Sequence, residues 1–103
     1  MRFAKDIITY ASKLPKTTAA IEVVKQLVRA AGSIGANYIE ASEAPSKKDF
    51  VMRIKISRKE SKESRFWLEL TKSFTGTHEE CAVLIQEATE LMKIFGSIIE
   101  KSK

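Results

Sequence analysis

Cysteine occurs once, as Cys81, so no disulfide can close within the chain, which fits a reducing compartment. Only two prolines and four glycines occur among 103 residues, and both prolines, Pro15 and Pro45, stand between periodic segments. That scarcity argues against a turn-rich β fold and for long helices. No apolar run approaches the ~18 residues that span a bilayer. The opening Met1-Arg2-Phe3-Ala4-Lys5-Asp6 reaches an acid at once and lacks the apolar block of a signal peptide. A cytoplasmic protein that does not act on membranes is therefore expected. Histidine is equally rare. His78 and Cys81 share a helix face, but two ligands do not make a zinc site, and no nucleophile–base–orienter set is present. Gly32 and Gly35 fall inside a helical pattern rather than after a strand, so they form no phosphate loop. The sequence predicts no enzyme, no catalytic residue, no metal and no cofactor.

What the chain has is helical periodicity. Phe3, Ile7, Tyr10 and Leu14 place a first helix over about Arg2 to Lys13, ended by Pro15. Thr17 or Thr18 caps a second, which runs to about Ser42 with Ala20, Val24, Leu27, Ala31, Ile34 and Tyr38 inward, widened by Ile21, Val23 and Val28. Pro45 breaks it. Ser46-Lys47-Lys48-Asp49 opens a third helix as a capping box, and Gly76 closes it. Thr77-His78-Glu79-Glu80 opens a fourth, whose seam is Cys81, Leu84, Ala88, Leu91, Phe95 and Ile98 with Ile85, Met92 and Ile99. Short connections make successive helices antiparallel, so the expected fold is an all-α, antiparallel up-and-down four-helix bundle, a single domain over residues 1–103. Gly32 and Gly35 each cost the second helix about 1 kcal/mol relative to alanine. Close helix contact would offset that, either within the bundle or between subunits. The breadth of the small and apolar surface around Ala30 to Ala36 points to a homo-oligomer.

The segment Lys25 to Ala41, centred on Ser33-Ile34-Gly35-Ala36-Asn37, resembles the bacterial four-helix bundle proteins called S23 or ribosomal-RNA intervening-sequence proteins. The resemblance continues through Ser46-Lys47-Lys48-Asp49-Phe50, Lys59-Glu60-Ser61-Lys62-Glu63-Ser64 and Phe66-Trp67-Leu68-Glu69-Leu70, and is weaker in the fourth helix. The first helix is shorter than the family's usual one. The resemblance implies an antiparallel bundle that assembles as a homopentamer, without an established catalytic activity. Some relatives are encoded within intervening sequences of large-subunit ribosomal RNA genes. A related bundle accompanies diversity-generating reverse transcription and is thought to contact nucleic acid.

The net charge of +5 is concentrated. Residues 46–75 carry nine basic side chains against four acidic ones, while the rest of the chain carries nine of each. On a helical wheel all the basic residues there except Arg53 fall within roughly 140°. Over ~25 residues such a stripe extends ~38 Å, enough to lie beside several phosphates. Lys55, Arg58, Lys59, Lys62 and Arg65 are thereby the candidate RNA- or DNA-binding residues. The exposed aromatics are too few for a base-stacking platform, so contact with the phosphate backbone and weak sequence preference are expected. A lysine-rich face is also what an ordinary solvated helix presents, and the alternative is a scaffold that binds another protein.

Arg53, Glu60 and Glu63 fall off the stripe, among Ile56, Trp67, Leu70 and Phe74. An unpaired buried charge costs several kcal/mol, so partners are required. Gln26, Arg29, Ser33, Asn37 and Glu40 form a polar line on the second helix that can supply them. Arg29, Asn37, Glu40, Arg53, Glu60 and Glu63 are the candidate polar network; otherwise that line is simply a wetted surface.

Overall fold

The computed structural model describes every residue except 1, 75 and 77. Four α-helices follow one another: α1 (Phe3–Ala11), α2 (Thr18–Ser42), α3 (Lys47–Thr71) and α4 (His78–Lys101). They form an elongated four-helix bundle of 44 × 20 × 19 Å. Its long axis matches the ~38 Å of a 25-residue helix. Contacts between helices run in opposite senses along the chain. Arg29 meets Glu60 and Asn37 meets Arg53, while Arg65 meets Thr89 and Thr71 meets Cys81, so α2 and α3, then α3 and α4, are antiparallel.

Local chemistry sets most of the boundaries. Thr17 is the cap of α2, its side chain accepting from the Ala20 amide at 3.2 Å. Ser46 caps α3 by accepting from the Asp49 amide at 3.1 Å, and its hydroxyl donates to Asp49 Oδ2 at 2.7 Å. The expected cap at Thr77 lies outside the described residues. Both α1 and α3 end earlier than the periodicity suggests, at Ala11 and Thr71, although Leu14 beyond α1 is still buried.

The core joins Phe3, Ile7 and Tyr10 of α1 to Leu27 and Ile34 of α2, Ile54 and Leu68 of α3, and Leu84 and Phe95 of α4. The buried stripe of α3 is otherwise polar: Ile54, Ser57, Ser61, Ser64, Leu68 and Thr71 alternate by three and four. Each hydroxyl is satisfied locally or across a helix contact. Ser61 and Ser64 donate to the Ser57 and Glu60 carbonyls at 2.8 Å, and Ser57 donates to the Ile34 carbonyl of α2 at 3.0 Å. Small side chains let α2 approach α3 closely enough for that last bond.

Two expectations about α2 need correction. Tyr38 does not join the core; it is half exposed at the rim and rests on Phe95 with ring centroids 6.3 Å apart. Ile21, expected to widen the inward face, is exposed. Of the two readings open for Gly32 and Gly35, tight packing within the bundle has no support. A Cβ added at either would meet no atom within 4 Å. With Ile21 and Ile39 they lie on an uncovered side of α2.

Candidate nucleic-acid interface

The basic stripe of α3 does more than face outward. Lys55, Arg58, Lys59 and Lys62 line one open cleft of about 420 Å³ along the α3–α4 seam. Its lining is completed by Met92 and Ile99 of α4. All four basic residues are exposed, so their charged ends stand in water. Among the described residues Lys55, Arg58 and Lys62 form no ion pair, and Lys59 approaches Glu63 only at 3.9 Å. These cations are thus free to meet an external anion. Met92 and Ile99, read from the sequence as part of the α4 seam, also contribute to this cleft.

Arg58 lies against α4, its Nε 3.7 Å from where a Cβ on Gly96 would stand. Arg65 is partly buried at the seam and is not in the cleft lining; its Nη1 donates to Thr89 Oγ1 at 3.4 Å. Acidic charge gathers elsewhere. Asp6, Glu87 and Glu90 line an open cleft between α1 and α4 with Arg2. Burial there raises the Glu87 pKa above the ordinary carboxyl value, and nearby Asp6 and Glu90 raise it further. Glu100 also feels the basic cleft: its pKa is lowered chiefly by its hydrogen bond from Lys103 and to a smaller extent by Arg58.

Most of the candidate polar network comes together between α2 and α3. Glu60 is buried, with 7% of its surface exposed, and Arg29 Nη1 donates to its two oxygens at 3.4 and 3.3 Å. Arg29 Nη2 donates to Glu63 at 3.1 Å. The Arg29 pKa is raised, mainly by the hydrogen bond to Glu60. About two helical turns away, Arg53 donates to Asn37 Oδ1 at 3.1 Å, while Asn37 Nδ2 donates to the Ser33 carbonyl and hydroxyl. Glu40 does not join. It is exposed, and its carboxylate has no hydrogen bond or ion pair among the described residues. It lines an open cleft with Asp49 and Arg53 at the start of α3 instead.

His78 and Cys81 are not brought to a common site. His78 is exposed, whereas Cys81 is fully buried and donates to the Leu68 carbonyl at 3.3 Å. Phe66, which neither composition nor charge singles out, stands 54% exposed on α3 beyond Lys62, edge-to-face with Trp67. Its +4 offset from Lys62 was the available signal.

Comparison with known proteins agrees with this architecture. The family described as 23S rRNA-intervening sequence protein matches residues 1–97. A crystal structure from Bacteroides thetaiotaomicron, described as a protein with unknown function from the S23 ribosomal protein family, superposes with a TM-score of 0.83 at 35% identity. The match covers 95% of this chain and 92% of that one. No curated protein matches. With nearly its whole length matched by the family and the same four-helix fold in a relative of that identity, this chain belongs to the 23S rRNA-intervening sequence protein family.

Proposed function

We propose that this protein is a non-enzymatic cytoplasmic bundle that assembles as a homo-oligomer, a pentamer by its family resemblance, and binds the phosphate backbone of RNA or DNA through the α3–α4 cleft. The observation that carries the reading is the convergence of Lys55, Arg58, Lys59 and Lys62 on one cleft, three of them without an ion pair among the described residues. Nucleic acid is the polyanion that such a row fits best, because neutralising phosphates releases condensed counterions. The intervening-sequence and ribosomal wording attached to the family and its solved member supports RNA. Assembly is supported by the uncovered side of α2, where Gly32, Gly35 and Ile39 offer a close-packing surface. Repeating the basic cleft around a ring would add its fields together.

The deciding experiment reverses Arg58, Lys59 and Lys62 to glutamate and measures RNA and DNA binding against salt. Wild-type affinity should fall with log salt by about 0.9 per phosphate neutralised on duplex DNA, hence by about 3.6 where four are engaged. The triple variant should keep its helical signal and its mass and lose binding. Arg53→Ala is the control: its guanidinium is spent on Asn37, so its loss should lower stability more than affinity. Unchanged binding by the triple variant, or none by wild type at low salt, leaves the protein-binding scaffold as the better reading.

A further inference from the structure

Phe66 is exposed by more than half its surface on the side of α3 that carries Lys59 and Lys62. On α3 it follows Lys62 by four residues and Lys59 by seven, so the three side chains share one side, with the ring about 6 Å and 10 Å further along the axis. Lys59 and Lys62 line the basic cleft, and Phe66, outside that lining, stands about one helical turn beyond Lys62. The ring is also braced. Trp67 meets it edge-to-face, with centroids 4.9 Å apart and planes inclined at 73°, which limits the orientations it samples. Glu63 and Glu69, three residues to either side of Phe66, are paired with Arg29 at 3.1 Å and Lys72 at 2.9 Å.

We infer that Phe66 is a stacking site for one unpaired base, and that the strand bound in the cleft is single-stranded, its phosphates on Lys59 and Lys62 and a base against the ring. This rests on the nucleic-acid reading above and narrows it. In a duplex the base faces are occupied by their neighbours, so an isolated aromatic beside a row of cations gains nothing from double-stranded ligand beyond the phosphate attraction. An unpaired base presents an open π-face, and stacking tolerates any base identity. A single ring is not a platform, so sequence preference stays weak.

The experiment compares a short oligouridine with the same strand annealed to its complement, using wild type, Phe66→Ala, Phe66→Leu and Phe66→Tyr. Trp67, the sole tryptophan, is in contact with the ring and its fluorescence reports the site directly. Wild type should bind the single strand more tightly than the duplex, with a Trp67 signal change specific to the single strand. Phe66→Ala and Phe66→Leu should each lose about 5-fold to 150-fold on the single strand, the span of base–aromatic stacking. Neither should change on the duplex, and the salt slope should stay at the wild-type value because no phosphate contact is removed. Phe66→Tyr should bind as wild type does. Equal affinity of all four proteins for the single strand would overturn the stacking site while leaving the phosphate reading in place. Absence of binding to either form at low salt would remove both. A fall in particle mass by light scattering for Phe66→Ala or Phe66→Leu would make the ring a subunit contact instead.

Discussion

Removing one partner of the Arg29–Glu60 pair should cost very different amounts depending on which partner goes. Glu60 has 9% of its side chain exposed, whereas Arg29 has 49%. In Glu60→Ala the guanidinium keeps Glu63 at 3.1 Å and has water on its other side, so little is stranded. The loss is that of two long hydrogen bonds in a half-exposed ion pair, about 1–2 kcal/mol. In Arg29→Ala the carboxylate of Glu60 is left almost without water and without its cation. A fully buried orphan charge costs about 3–5 kcal/mol, and partial water entry through the space that Arg29 vacates should reduce this to about 2–4 kcal/mol. For a chain of this size each kcal/mol moves Tm by about 4–8 °C. Urea unfolding followed by the helical dichroism signal, at one fixed protein concentration, separates these values. The double variant should be more stable than Arg29→Ala alone, since it removes the stranded carboxylate. If Glu60→Ala costs as much as Arg29→Ala, or if the two losses simply add, the exposure asymmetry does not govern this pair.

Two further outcomes follow from named positions. Glu87 has a raised folded-state pKa, so its favourable contribution is present below the unfolded carboxyl value and is lost as pH rises through the folded one. Glu87→Gln should therefore raise Tm at pH ~7, with the advantage shrinking as pH falls toward ~4; an equal gain at both would mean that the carboxyl's charge is not the cause. On α2, Gly32→Leu meets no intramolecular obstacle and should leave the single bundle folded. If this side joins subunits, light scattering across a concentration series should show a smaller particle, whereas an unchanged mass would move the interface to another surface.

Much of this architecture was written in local chemistry. Pro15 and Pro45 interrupt the helical pattern, Ser46 and Thr17 supply oxygens that satisfy first-turn amides, and the apolar spacing of α4 repeats at three and four. Such features act within a few residues, so they can be read along the chain. The clustering of Lys55, Arg58, Lys59 and Lys62 was legible for the same reason, because one helix sets their common direction. The inward stripe of α3 was not. Ser57, Ser61, Ser64 and Thr71 carry no hydrophobic signal, and they can be buried only because their hydroxyls find carbonyls, one of them Ile34 on another helix. The same dependence on a neighbour separates Asn37, which meets Arg53, from Glu40, whose carboxylate meets no cation among the described residues. Tyr38 fits the α2 period yet ends half exposed at the rim, leaning on Phe95 of α4. The cleft itself needs Met92 and Ile99 beside the α3 cations. Periodicity determines which way each side chain leaves its own helix; what stands opposite is decided when the helices pack, and burial, partners and cavities depend on that second surface.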